Sequence, residues 1–314
     1  MNSRFRTWRL RAEAAFFRRE WNIGLLSVSS LQPGNRAVGR VDQWFAAQGR
    51  PYLAADPFLI NEDGQCWILA EVKTSPSAKG AIAAWRLSDG GVKYHGIVIA
   101  ERGVHLSYPF VFRWRGAIYC VPERAEAGSP IIYQAKQLPD QWDPASSQMP
   151  AGPLVDPTVF EHNGHWWLAA TDALAGPQTH LSLWYGTSPL GPWEPHRGNP
   201  VKRDISCSRP AGTPFYHGGN LYRPAQDNSR GYGGRVVFNR VIELTPESFH
   251  EEPEGSLEPD VAGAYPRGLH TVCVSGKIVL VDGLRVRPHL LAPLNFLRAV
   301  ARNRRIQKHG VETA

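Results

Sequence analysis

The sequence predicts an all-β protein, a five-bladed β-propeller with short basic helical extensions at its N- and C-terminal ends. Three observations carry that prediction. Aromatic residues make up 11% of the 314 residues, alongside 30 Gly and 26 Pro, a mixture that suits short strands joined by tight turns. The apolar fraction of 42% is enough for a substantial core. A unit of two apolar strands around a Gly-containing turn recurs at a period near that of a propeller blade.

The repeat is read directly from the chain. ADPFLINEDGQCWILAEV starts at Ala55, SYPFVFRWRGAIYCVPER at Ser107 and VDPTVFEHNGHWWLAATD at Val155. SRPAGTPFYHGGNLYRPAQD starts at Ser208 and is two residues longer. A weaker fifth copy, RGLHTVCVSGKIVLVDG, starts at Arg267. The turns fall at Gly64, Gly116, Gly164, Gly218-Gly219 and Ser275-Gly276. Between the copies lie outer-strand candidates: AIAAWRL and GIVIA, PIIYQAK, HLSLWYGTS, and GGRVVFNRVIEL. The fifth copy lacks an outer pair after Gly283. NIGLLSVSS, from Asn22, is expected to fill that place and close the ring, removing a free sheet edge. The domain reading is a basic amphipathic extension over 1–20, one propeller over 21–287 and a basic helix or tail over 288–314.

The first strand of each blade lines the central channel, so residues at one phase of the repeat meet at one mouth. Asp56, Tyr108, Asp156 and Arg209 share the opening phase, each followed by proline, which holds the chain extended. Glu71 and Glu123 end the second strands, with Asp172 one step further along its copy. Clustered ionisable groups of mixed sign at a channel mouth are a candidate site. Arg223, Gln226 and Asp227 end the second strand of blade four and suit sugar hydroxyls or an anion. His105, three residues before Tyr108, is placed near the rim as a substrate-binding candidate.

The residues that carry a family resemblance are Trp21-Asn-Ile-Gly, Ser107-Tyr-Pro-Phe-Val, Val121-Pro-Glu, Ser208-Arg-Pro-Ala-Gly and Tyr222-Arg-Pro-Ala-Gln-Asp, with Tyr232-Gly after it. Together they resemble the N-terminal domain of plant glucosamine inositolphosphorylceramide transferases. Asp56-Pro-Phe-Leu and Asp156-Pro-Thr-Val are similar, more distantly, to the strand-opening motifs of arabinanase- and invertase-type glycoside hydrolases. The second resemblance implies that Asp56 is a general base and Asp156 an aspartate that tunes the acid. The acid itself would be a Glu where this chain has Arg209, so in an enzyme Glu123 or Glu71 is the candidate to replace it. It also implies that His270 is a candidate ligand of a central-channel cation; no other cofactor is expected. An arginine in the ring suits an anionic group, because its planar fork binds oxyanions in pairs.

The net charge of +7 sits at the two ends. Residues 1–20 carry +4 and residues 285–314 carry +6, leaving −3 for the body. A nucleic-acid groove would place its basic residues on the folded surface, so nucleic acid is not an expected partner. Aromatic-apolar faces flanked by Arg at both ends suggest peripheral contact with an anionic membrane. The N-terminus has no apolar h-region and no run approaches a membrane span. Cys66, Cys120, Cys207 and Cys273 show no zinc spacing and read as reduced, buried side chains. The expected setting is cytoplasmic, at the inner membrane if the ends bind there. Two functions follow: an enzyme acting on a glycan or glycolipid in surface-polysaccharide metabolism, and a non-catalytic glycan-binding partner of a glycosyltransferase.

Overall fold

The computed structural model describes residues 17–27, 31, 33–45 and 52–288. Three strands come first: β1 (Phe17–Ser27), β2 (Arg36–Gly39) and β3 (Val41–Trp44). Blade one is β4 (Leu53–Glu62), β5 (Gln65–Lys73), β6 (Ala81–Ser88) and β7 (Gly91–Ile99), in that order across the sheet. Blade two is β8 (Ser107–Trp114), β9 (Ala117–Glu123), β10 (Tyr133–Gln137) and β11 (Gln141–Pro144). Blade three is β12 (Leu154–His162), β13 (His165–Asp172), β14 (His180–Gly186) and β15 (Glu194–Pro195), with β16 (Lys202–Arg203) also on β14. Blade four is β17 (Phe215–His217), β18 (Asn220–Asp227), β19 (Arg235–Leu244) and β20 (Phe249–Pro259).

The last copy supplies only β21 (Val272–Ser275) and β22 (Ile278–Pro288). Its sheet runs β21-β22-β1-β3, so the N-terminal segment completes blade five and closes the ring. The expectation for the Asn22 segment holds. β2 was not expected; it adds a fifth, parallel strand to blade four beside β20.

Among the described residues the terminal helices are not found. Phe17–Glu20 belongs to β1, and β22 extends to Pro288. Exposure alternates residue by residue over Phe17–Glu20, the period of a strand. Glu20 takes Arg285 at 2.6 Å and Arg18 at 3.3 Å, which cross-links the two strand ends. Residues 1–16 and 289–314, where the rest of the expected helices fall, lie outside the described residues. Among the described residues the one helical turn is the 3-10 segment Ala125–Ala127.

Backbone geometry repeats as strictly as the sequence. Asp63-Gly64, Arg115-Gly116 and Asn163-Gly164 all have positive φ, the signature of two-residue turns whose twist matches that of the strands they join. At the opposite end of the same strands, Asp56, Tyr108 and Asp156 also have positive φ, at 54°, 43° and 50°. Each lies within a register shift: Ala55/Phe58, Ser107/Phe110 and Val155/Thr158. A bulge of this kind breaks the alternation of the strand and re-aims a side chain. The backbone strain is held by packing around Phe58, whose ring meets Tyr108 at 4.9 Å and Phe110 at 5.3 Å. The fourth copy departs from this pattern: Pro210 makes only an isolated bridge to Ala225, and the strand proper starts at Phe215. All four cysteines are free; Cys66 is half-buried and the other three are buried.

Candidate active site

The three bulges and the start of the fourth copy converge on one buried cluster. Asp56 is 5% exposed, Asp156 2%, Glu71 8% and Arg209 9%. The cluster has two halves.

In the first half, Asp56 meets blade five. Its Oδ1 accepts from the Thr271 hydroxyl at 2.5 Å and lies 3.5 Å from His270 Nε2. Its Oδ2 accepts from the Tyr108 backbone N–H at 3.3 Å. The other imidazole nitrogen of His270, Nδ1, lies 2.5 Å from Asp282 Oδ2. Asp282 is fully buried and its Oδ1 accepts the backbone N–H groups of His270 and Thr271. The imidazole is therefore held between two carboxylates. Burial pushes Asp56 up to about 6, against the opposing pull of His270. Burial alone would lower His270, but Asp282 and Asp56 carry it to about 9, so it is an imidazolium at neutral pH. Glu71, on β5 opposite Ala55 of β4, is raised to about 8 by burial and by the neighbouring Asp56 charge.

In the second half, Asp156 is gripped by Arg209. Nε donates to Oδ2 at 2.6 Å and Nη2 to Oδ1 at 3.1 Å. Gln226 Nε2 donates to the same Oδ2 at 2.9 Å. Glu123 lies 3.7 Å from Arg209 Nη2 and accepts the Asp156 backbone N–H at 3.2 Å. Glu123 and Asp156 thus share one guanidinium nitrogen, Arg209 Nη2. Burial and the Asp156 charge hold Glu123 well above the ordinary carboxyl range.

The remaining candidates are placed as follows. Tyr108 is fully buried; its hydroxyl lies 2.9 Å from Thr158 Oγ1 and accepts the Gly212 N–H at 2.8 Å. His105 accepts the Gly80 N–H at Nδ1 and lies 3.5 Å from Glu71 at Nε2. Arg223 points away from the cluster into a two-pronged pair with Glu251, at 2.8 and 2.6 Å. Asp227 is spent on Arg235 and on the turn at Ser229. The Asp172 carboxylate caps the backbone N–H groups of Leu174 and Ala175. Arg223, Asp227 and Asp172 thus hold the rim, while Asp56, Glu71, Glu123, Asp156, Arg209, Gln226 and His270 form the cluster.

Sequence reasoning missed Asp282 and Thr271. Asp282 lies in VDG, within the fifth copy's second strand, β22. It stands one residue ahead of the phase occupied by Glu71 and Glu123, a signal present but out of register.

The model of the family described as "Glucosamine inositolphosphorylceramide transferase 1, N-terminal" matches residues 43–259. The chain belongs to this family. Glucosamine inositolphosphorylceramide transferase 1 of Oryza sativa subsp. japonica is 35% identical over 320 residues, covering 90% of this chain and 43% of the relative. The Arabidopsis thaliana protein of the same name is 36% identical over 228 residues, covering 70% and 30%. The chain thus spans less than half the length of these curated relatives. Among solved structures, a GH43_1 enzyme from Xanthomonas citri aligns with a TM-score of 0.53 at 14% identity, covering 75% of this chain and 87% of that one. A family 117 glycoside hydrolase from Zobellia galactanivorans aligns equally well over 85% and 90%. At such identities the likeness is one of fold.

In this member of the glucosamine inositolphosphorylceramide transferase N-terminal family, Asp56, His270 and Asp282 offer ligand atoms within 4.8 Å of one another. The residues do not fit a resident cation. Both imidazole nitrogens already face carboxylates. Thr271 and two backbone N–H groups occupy the oxygens Asp56 Oδ1 and Asp282 Oδ1. The imidazolium supplies the positive charge that a metal would bring.

Proposed function

We propose that this propeller acts on a glycan at the channel mouth, with Asp56 as base and Glu71 as acid in a glycosidase-like or glycosyl-transfer step. One observation carries the reading. Two carboxyl groups of a single cluster are held at different proton affinities, about 6 for Asp56 and about 8 for Glu71. At neutral pH the first is ionised and the second protonated, the division of labour that acid–base chemistry on a glycoside requires. Asp56 takes a proton from a water or an acceptor hydroxyl; Glu71 delivers one to the departing oxygen. His270 and Thr271 hold the Asp56 carboxylate in place.

The family's name and the glycoside-hydrolase-like fold support a carbohydrate substrate, and the relatives' names extend it to glucosamine and to inositolphosphorylceramide glycolipids. The Tyr232 ring, 41% exposed and edge-on to Trp21 and His270, offers an aromatic surface for a sugar. Surface-polysaccharide or glycolipid metabolism, in a compartment where four thiols stay reduced, is the setting we assign.

A second reading, a non-catalytic glycan-binding module, draws on Arg209. Its guanidinium stands at the position of the resemblance-implied acid and neutralises Asp156. Glycan-array binding with product analysis separates the two. The enzyme reading expects turnover by the wild type, with roughly a hundredfold loss or more in Asp56→Asn and in Glu71→Gln, while binding persists. Wild-type binding without turnover on any bound glycan supports the module instead.

A further inference from the structure

The most exposed large apolar side chains of the described residues are Leu174, at 85%, and Val261, at 81%. Neither lies on an edge strand. Leu174 follows the end of β13, two residues after Asp172; Val261 follows the end of β20. Both strand ends lie at the channel mouth that carries the cluster. Ile205, 44% exposed, and Tyr232, 41% exposed, occupy two further loops of this face.

The loops behind these tips are tied together. The Asn228 N–H donates to Ile205 O at 3.0 Å, the Asp204 N–H donates to Thr179 O at 3.0 Å, and Asn228 Nδ2 donates to Gln178 Oε1 at 2.6 Å. Leu269 N–H, which follows the Val261 loop, donates to Gly233 O at 2.9 Å. Four apolar tips thus stand on one braced rim rather than on independent loops.

The exposed charges on these loops are arginines. Arg203, Arg230 and Arg267 are exposed on the same loops. Among the described residues none of the three has a carboxylate partner. The acids of these loops are half-buried and accept local groups: Asp172 from the Leu174 and Ala175 N–H groups, Asp204 from the Ser206 N–H and hydroxyl, and Asp260 from the Ala262 N–H. The mouth-facing loops of blades one and two, over 74–80, 100–106 and 124–132, present no apolar tip of this exposure. Protruding aliphatic and aromatic side chains flanked by arginines are the chemistry of an interface with anionic lipid. The apolar groups enter the headgroup region and the arginines meet the lipid phosphates.

We propose that the rim formed by the loops of Leu174, Ile205, Tyr232 and Val261 docks the propeller mouth-down on an anionic lipid bilayer. This contact is separate from the basic chain ends, and it stands whether or not the cluster is catalytic. Docking in this pose presents the buried cluster to headgroups and excludes substrates free in bulk water.

The test is flotation of the full chain with vesicles of phosphatidylcholine containing one-third phosphatidylserine, against phosphatidylcholine alone. The expected result is binding to the anionic vesicles, reduced about tenfold in Leu174→Ser/Val261→Ser and in Arg203→Glu/Arg230→Glu/Arg267→Glu. All substituted side chains are exposed, and an unchanged circular dichroism melt checks that the variants fold. Binding undiminished in both variants assigns the membrane contact to the chain ends and overturns the proposal. So does a wild type that stays with the buffer. A dimer in light scattering without lipid, lost in Leu174→Ser/Val261→Ser, assigns the rim to a second copy and overturns it equally.

Discussion

Arg209 closes on Asp156 through two hydrogen bonds, at 2.6 and 3.1 Å, where the glycoside-hydrolase resemblance leads one to expect a carboxylic acid beside an aspartate. The pair is almost wholly buried, with side-chain exposures of 11% and 2%. The positive charge therefore serves the interior first, and the anionic substrate group expected of Arg209 from sequence has a competitor already in place. Arg209→Ala leaves Asp156 buried without a counter-charge. The expected outcome is a loss of about 3–5 kcal/mol in urea unfolding, with Arg209→Lys in between because it cannot grip two oxygens at once.

The Asp56–Glu71 assignment predicts a bell-shaped pH dependence of kcat/KM. The acid limb follows deprotonation of Asp56 near 6, and the alkaline limb follows deprotonation of Glu71 near 8. Glu71→Gln is expected to remove the alkaline limb from whatever activity remains. An alkaline limb that survives that substitution would move the acid role to Glu123.

Stability has its own pH signature. Asp56 and Glu71 bind their protons more tightly folded than unfolded, so each disfavours the fold once the unfolded chain ionises. That cost grows from about 4 up to about 6 for Asp56 and about 8 for Glu71. His270 is raised to about 9; its contribution is full below its ordinary value and is lost as pH rises through 9. All three act in one direction, and Glu71 and His270 carry it above pH 6, so thermal melts should fall steadily between pH 6 and pH 9. Glu71→Gln should flatten the stretch below 8 and gain stability on the order of a few kcal/mol at pH 8.5.

Two further substitutions probe the channel wall. A Cβ on Gly212 would sit 1.8 Å from the Val272 carbonyl oxygen, at a φ of +127°. Gly212→Ala should therefore fail to reach a soluble, cooperatively folding state. Tyr108→Phe is milder: it leaves the Gly212 N–H and Thr158 hydroxyl without the phenol and should cost about 1–3 kcal/mol in chemical denaturation.

Much of this was legible in the chain. The hairpin turns announced themselves because two-residue turns need Gly, Asn or Asp at fixed offsets. The mouth residues announced themselves because a propeller maps sequence phase onto position. Asp56, Glu71, Glu123, Asp156, Arg209 and Gln226 all arrive in one cluster. What the phase argument cannot deliver is direction. Asp172 and Asp227 share the strand-end chemistry of Glu71, yet their carboxylates turn onto local N–H groups, a choice made by the following loop. Asp282 was overlooked because the fifth copy is one residue out of step. The terminal strand at Phe17–Glu20 was overlooked because Arg-rich, Ala-containing stretches satisfy a helical pattern locally, and only pairing across the ring selects the strand.

The ring has a seam, and the seam runs through the chemistry. Blade five is assembled from strands at the two ends of the described chain, and it is this blade that brings His270, Thr271 and Asp282 against Asp56, across separations of 214, 215 and 226 residues. Until β21 and β22 dock against blade one, Asp56 has neither its hydroxyl donor nor its imidazolium. The base is thus made by the act of closure itself, so a fragment that keeps all four complete blades yet lacks β21 and β22 would carry every catalytic candidate in sequence and no working proton acceptor in space.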